Sequence, residues 1–150
     1  MKKIIKYIPI ILLILHCGLI FFFSAQSKES SSKASKGFVD VVEEVTVEQG
    51  QEVSEEQHEQ ILLVVRKSAH FVLFLVLGIY AYLSAESLKL KRKLVYALLF
   101  CLIYAASDEI HQIFVPGRSG EVRDAFIDLC GSVIGISATA SIKRKFRKEG

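Results

Sequence analysis

The chain has 150 residues, of which 51% are hydrophobic, and its 19 basic and 16 acidic residues give a net charge of +3. With a mean hydropathy of +0.39, this composition excludes an ordinary soluble domain and is typical of a single-domain membrane protein. Nucleic acid is excluded as a partner, because the basic residues form short clusters beside apolar segments and are not interleaved with aromatic residues.

The first predicted element is a largely apolar run over residues 4–23. At about 1.5 Å per residue, a helix of this length covers roughly 30 Å, which is the thickness of the hydrocarbon core of a bilayer. A cleavable signal peptide is the competing interpretation, because Lys2 and Lys3 precede the run. The apolar part is too long for a signal peptide and ends in three phenylalanines, so we favour a retained transmembrane helix.

The second predicted element is an extracytoplasmic loop over residues 24–60. Its first part, residues 24–35, is rich in serine and is predicted to be flexible, whereas residues 38–59 carry an acidic excess that Gly50 is expected to interrupt. Ser54 and Gln57 have the spacing of a capping box. They predict the start of a helix that continues into the second span.

Three further spans are predicted over residues 61–85, 94–114 and 122–142. Lysine and arginine clusters precede the first span, join the second to the third and follow the fourth. Antiparallel threading puts these clusters on one face, which the positive-inside rule makes cytoplasmic. The predicted fold is therefore an all-α integral protein of the cell membrane, an antiparallel bundle of four transmembrane helices with both termini cytoplasmic.

The opposite, outer face collects the ionisable side chains of the four spans. The helix ends that meet there carry the sequences SAQS (24–27), RKSAH (66–70), SDEIHQ (107–112) and the run 118–128. Charges at membrane depth are costly unless they meet partners, water or a ligand, which makes these residues candidates for function. The candidate catalytic residues are His70, Asp108, His111 and Asp128. The candidate binding residues are Gln26, Arg66, Lys67, Glu109, Gln112, Arg118 and Asp124.

Helical spacing sorts these side chains onto faces. Asp108 and His111 share one face of the third span, whereas Glu109 points elsewhere and needs a partner of its own. In the fourth span, Asp128 lies on a stripe that continues with Gly131, and small residues of this kind allow close contact between helices. We therefore expect Asp108 or His111 to face Asp128.

The motifs resemble those of the VanZ-like membrane protein family. The resemblance is carried by S-x-Q-S at the end of the first span, R-K-x-x-H-F in the second, S-D-E-x-H-Q-x-F-x-P-G-R closing the third and R-D-x-x-x-D opening the fourth. It covers nearly the whole chain except residues 28–59. The name-giving member raises resistance to teicoplanin-type lipoglycopeptides in Gram-positive bacteria, so the resemblance implies an envelope protein that lowers this susceptibility.

One hypothesis for the outer rim is binding without catalysis. Here Arg66, Lys67 and Arg118 hold the anionic group of a lipid-linked cell-wall precursor or of another amphiphile such as the lipoglycopeptide, and the carboxylates complete a paired network. The membrane lipid bilayer is a partner in any case. A purely structural network of ion pairs that fixes the bundle is the alternative to a functional site.

A second hypothesis is a small hydrolase or transferase that acts on a lipid-linked envelope substrate. His70 or His111 would be the general base, oriented by a neighbouring aspartate, with Ser68 or Ser107 as the nucleophile. Metal-assisted chemistry is a variant of this hypothesis. No cofactor and no metal are expected, however, because the chain has neither an HExxH motif nor closely spaced ligands.

Overall fold

The computed structural model describes residues 6–48 and 54–149, and this part of the chain contains helices and turns but no strand. Three helices are long and apolar enough to cross a membrane, and the shorter first helix is also apolar. The all-helical, multi-pass membrane class predicted from the sequence is therefore confirmed. Gly50 and the first two residues of the predicted first span lie outside the described residues. The helices are α1 (Ile8–Ser24), α2 (Lys28–Glu48), α3 (Glu55–Ser87), α4 (Lys93–Gln112) and α5 (Val122–Glu149).

Two polar contacts show how α1 packs against α3 and α4. The Tyr104 hydroxyl of α4 donates a hydrogen bond to the carbonyl oxygen of Cys17 (2.6 Å), and Nε2 of His16 lies 2.8 Å from the carbonyl oxygen of Leu73 in α3. Apolar side chains fill the space between α1, α3, α4 and α5, which alternate in direction along the chain. The buried core includes Ile20, Phe74, Leu77, Ala97, Cys101, Ala105 and Ile136.

The closest helix pair is α3 and α5. A Cβ atom on Gly135 would overlap the carbonyl oxygen of Leu75, and one on Gly78 would lie 2.9 Å from the carbonyl carbon of Ser132. Ser132 donates a hydrogen bond to the carbonyl oxygen of Phe74 (3.1 Å) across the same contact. The predicted stripe of small residues thus packs α5 against α3 and sets the positions of their polar side chains relative to each other.

The two ends of the bundle differ in their charges. At one end, Glu86 of α3 pairs with Lys93 of α4 and with Lys143 of α5. We call this the basic end, because the lysine and arginine clusters of residues 89–93 and 143–148 lie there. We call the other the polar end. There α1 ends at Ser24, and α4 ends before the turn that leads into α5.

The serine-rich segment predicted to be flexible is helical from Lys28 onwards. Oγ of Ser27 accepts a hydrogen bond from the backbone N–H of Ser30 (3.2 Å), as an N-cap residue does. Val39 is fully buried, and α2 packs along α3. Serine has a modest helix propensity, so the sequence indicated a loop, but the cap and the packing decide the local structure.

The capping box predicted at the start of α3 is present. Oγ of Ser54 accepts a hydrogen bond from the backbone N–H of Gln57 (3.3 Å), and Oε1 of Gln57 accepts one from the backbone N–H of Ser54 (2.8 Å). The helix then continues for 33 residues. The end of the acidic connector and the second predicted span therefore form one helix, which carries Arg66 and His70 at the polar end.

Candidate functional site

Three side chains from three helices meet at the polar end. The imidazole of His70 on α3 lies between two carboxylates, with Nδ1 4.0 Å from Oδ2 of Asp108 on α4 and 3.8 Å from Oδ2 of Asp128 on α5. Asp108 is 4% exposed and Asp128 is 1% exposed. Of the two residues expected to face Asp128, Asp108 is the one that does. An imidazole beside two carboxylates has the chemistry of a general base or of a metal ligand.

The carboxylate of Asp108 is held in place by two hydrogen bonds. Oδ2 accepts one from the hydroxyl of Ser24 at the end of α1 (2.7 Å) and one from the side-chain amide of Gln112 one turn along α4 (2.9 Å). Ser24 is fully buried. It belongs to the S-x-Q-S motif but is missing from the predicted binding residues. The signal that could have identified Ser24 is its position at the end of the apolar run of α1, where a polar side chain is unusual.

A second acidic residue of α5, Asp124, is neutralised by a lysine. Nζ of Lys67 on α3 forms an ion pair with Oδ1 of Asp124 and lies 3.8 Å from Oε2 of Glu121. The side chains of Lys67 and Asp124 are 29% and 23% exposed. Asp124 and Asp128 therefore lie one turn apart on the same helix in different electrostatic environments, since Asp128 has no lysine beside it within the described residues.

The ion pair between Lys67 and Asp124 is expected to stabilise the contact between α3 and α5. A double-mutant cycle with Lys67→Ala and Asp124→Ala should give a coupling free energy of about 1–2 kcal/mol, between the values of exposed and buried pairs. The free energies of unfolding of the four variants, measured in mixed detergent micelles, give this coupling free energy. The exposed pair of Lys33 and Glu29 on α2 is the matched control, with coupling close to zero. Equal coupling for the two pairs would contradict the assigned role.

Glu109 has the separate partner that helical spacing required. Its Oε2 accepts a hydrogen bond from the backbone N–H of Glu121 (2.8 Å), so the side chain ties the end of α4 to the start of α5. Between them the chain turns at Gly117, whose φ of +74° favours glycine. At Gly120 a Cβ atom would lie 2.6 Å from the carbonyl oxygen of Glu109. The two glycines thus permit the turn that brings α5 back against α4.

A groove of about 950 Å³ runs along α3 at the polar end. We call it the rim groove. Its wall is largely apolar, and Gln26 and Ser68 also line it. Its ionisable lining residues are Arg66, His70 and Arg118. The apolar lining residues are Phe23, Ile61, Val64, Val65, Ala69, Val72 and Leu73.

The two arginines of the rim groove lack carboxylate partners. Within residues 6–48 and 54–149, neither Arg66 nor Arg118 forms an ion pair with an acidic side chain. Nη2 of Arg118 donates a hydrogen bond to the carbonyl oxygen of Phe23 (3.3 Å). Burial, and then the positive charge of Arg66, lower the pKa of the Arg118 guanidinium. Because arginine stays charged at neutral pH, an anion bound here would relieve this repulsion.

A second, much smaller cavity of about 20 Å³ lies behind the groove. We call it the polar pocket. It shares Arg66, His70 and Arg118 with the rim groove, and its volume is enough for about one water molecule. The structure thus brings eight of the predicted site residues to one pocket. They are Arg66, Lys67, His70, Glu109, Gln112, Arg118, Asp124 and Asp128.

Two residues proposed for catalysis lie elsewhere. The ring of His111 stacks on that of Phe21 in α1, with centroids 4.5 Å apart and planes 25° apart, so it lines neither cavity. Ser107 is exposed and donates its hydroxyl hydrogen to the carbonyl oxygen of Tyr104 on its own helix. Residues three apart on a helix differ by about 60° in direction, so His111 can point towards α1 while Asp108 faces the bundle. His70 is therefore the histidine that meets both aspartates.

No curated protein and no solved structure gives a significant match to the chain. A family model described as VanZ/LLP1 matches residues 9–143, which include all five helices apart from the first residue of α1 and the last residues of α5, and every side chain of the polar pocket. The chain belongs to the VanZ/LLP1 family.

Proposed function

We propose that this protein binds the anionic headgroup of a lipid-linked cell-wall precursor at the outer side of the membrane and thereby lowers susceptibility to teicoplanin-type lipoglycopeptides. The rim groove carries the proposal. Its apolar wall suits a hydrocarbon tail, and it is lined by Arg66 and Arg118, which form no ion pair with an acidic side chain among the described residues. Arginine binds phosphate through charge-assisted hydrogen bonds, and these are the strongest in proteins.

The positive-inside rule supports this placement. The sequence carries lysine and arginine clusters before the first span, between the second and third and after the fourth, and the rule assigns these clusters and both termini to the cytoplasm. With α1 as the fourth membrane-crossing helix, the polar end then faces outwards, where wall precursors are used. A volume of about 950 Å³ lies within the range of small-molecule sites, roughly 300–1,000 Å³. A protein that holds the precursor headgroup there reduces the access of the drug to the precursor.

Binding of a matched pair of lipids tests the headgroup proposal. Detergent-solubilised protein is titrated with a polyprenyl phosphate and with the polyprenol of equal length, and the bound fraction is read by native mass spectrometry. We expect the phosphate to bind at least about tenfold more tightly, since a hydrogen bond to a charged group contributes about 1.5–3 kcal/mol and 1.4 kcal/mol is a factor of ten. Arg66→Gln combined with Arg118→Gln should abolish this preference.

Arg123→Gln is the matched control, because Arg123 is exposed and lines neither cavity. It should bind both lipids as the natural chain does. In a teicoplanin-susceptible Gram-positive strain, expression of the natural chain should raise the inhibitory concentration several-fold, whereas the double arginine variant should not. Equal binding of phosphate and alcohol would refute the headgroup proposal, and unchanged susceptibility on both deletion and overexpression would refute the resistance role.

A second candidate function is hydrolysis or group transfer on the same lipid. The position of His70 favours it. The ring of His70 lies within 4.0 Å of two buried carboxylates and lines the rim groove. Ser68 lines that groove as well. Incubation of the purified protein with lipid-linked wall precursors, followed by product analysis, separates the two functions. Full binding without any product would exclude the enzyme.

A further inference from the structure

We infer that His70, Asp108 and Asp128 form a binding site for one divalent metal ion of the zinc or manganese class. The sequence contains suitable ligand types but does not select these three, because they lie on three helices and their spacing along the chain matches no metal motif. The inference concerns the ion alone and does not depend on the proposed lipid ligand.

The distances between the three side chains suit a bridging ion better than direct hydrogen bonds. The Nδ1 atom of His70 is 4.0 Å and 3.8 Å from the two carboxylate oxygens, which is beyond the range of a hydrogen bond, about 2.7–3.2 Å. One ligand atom from each residue lies within 4.8 Å of the other two. Bonds of about 2.0–2.2 Å from a central ion reach across gaps of this size with small side-chain movements.

The electrostatics of the site call for a cation. Asp128 is 1% exposed, and its Oδ2 accepts no hydrogen bond in the part of the chain that the structure describes. Asp108 is buried as well, and Lys67 is paired with Asp124. An uncompensated carboxylate inside a membrane costs several kcal/mol. A divalent ion bound between Asp108 and Asp128 would balance the charges of both aspartates.

The surroundings have the features of a metal site. Imidazole and carboxylate together are common ligands of zinc and suit manganese. Ser24 and Gln112 donate hydrogen bonds to Asp108, which orients this ligand as the outer partners of metal sites do. Three protein ligands leave one coordination position for water or a ligand oxygen, and His70 and Asp128 both line the polar pocket, which can hold about one water.

Metal titration of the purified protein tests the inference. Chain stripped with a chelator in detergent is dialysed against Zn²⁺ or Mn²⁺, and bound metal is measured by mass spectrometry. We expect one ion per chain, with at least about 100-fold weaker binding in His70→Gln and in Asp128→Asn. Binding of the ion should also raise the melting temperature of the natural chain, because a ligand of the folded state stabilises it.

Glu29→Gln is the matched control, because it removes an exposed carboxylate of α2 that pairs with Lys33 and lies outside the site. It should bind the ion as the natural chain does. Should a ligand variant fail to fold, Co²⁺ added to the natural chain gives an independent readout, since a four-coordinate site produces d–d absorption bands that are stronger and at longer wavelength than the weak bands of aqueous Co²⁺. Absence of saturable binding and of these bands in the natural chain, or an equal loss of binding in Glu29→Gln, overturns the inference. Lipid binding is measured separately, so either proposal can fail while the other holds.

Discussion

Replacing Gly135 with alanine is expected to lower the free energy of unfolding by about 3 kcal/mol or more, the upper range for overpacked cores. The added methyl group would overlap the carbonyl oxygen of Leu75 and lie 3.0 Å from its carbonyl carbon. Both atoms belong to the backbone of α3, which cannot rotate away as a side chain can. The measurement is unfolding in mixed detergent micelles, together with the amount of protein inserted in the membrane.

Gly18→Ala is the control for this substitution. Gly18 also lies in an apolar helix, but a Cβ atom there meets nothing within 4 Å. Its effect should stay within about 0.5 kcal/mol, as for substitutions away from packed features. If the two alanine variants unfolded alike, the close contact between α3 and α5 would not be the source of stability described above.

The second large effect is expected at Asp108, where two substitutions separate stability from function. Asp108→Asn keeps an oxygen that accepts the hydrogen bonds of Ser24 and Gln112, so the membrane level should be normal. It removes the negative charge beside His70, and protection against lipoglycopeptides should be lost. Asp108→Leu leaves both buried donors without an acceptor, at a cost of about 1–3 kcal/mol each, so the amount of folded protein itself should fall.

Membrane protein levels and inhibitory concentrations for the Asp108 variants, measured in the same strain, give the result. His70→Ala should behave as Asp108→Asn does, with normal protein and lost protection. Loss of protein in both His70→Ala and Asp108→Asn would show that the cluster serves mainly to hold the helices together. If both His70→Ala and Asp108→Asn still protected against lipoglycopeptides, the cluster of His70, Asp108 and Asp128 would not be part of the functional site.

Much of this architecture could be predicted from the sequence. Hydropathy found the three long helices, because membrane spans depend mainly on composition over about 20 residues. The concentration of ionisable residues near helix ends indicated which of them meet, since charges at that depth require partners. Helical spacing showed that Glu109 needed a partner of its own, although it did not reveal that the partner is the backbone N–H of Glu121.

The features that the sequence did not reveal depend on how the helices are rotated about their axes. Periodicity put Asp108 and His111 on one face, but the angle between them is enough for one to face α5 and the other to stack on Phe21 in α1. The same rotation brings the ligand atoms of three helices together. Helix α2 was missed for another reason, because its capping and its packing on α3 outweigh the propensity of its serines.

The ion pair between Lys28 of α2 and Glu59 of α3 bears on how firmly the two helices beside the rim groove are held together. Nζ of Lys28 lies 2.8 Å from Oε2 of Glu59, and the two side chains are 47% and 54% exposed, so the pair contributes little stability. The opposite side of α3 is locked to α5 by backbone contact at Gly135. The groove is therefore lined by α3, which is held against α5 at backbone distance, and by Ser31 and Ser35 of α2, whose ion pair to α3 adds little. A ligand that needs more room is expected to move α2 before α3.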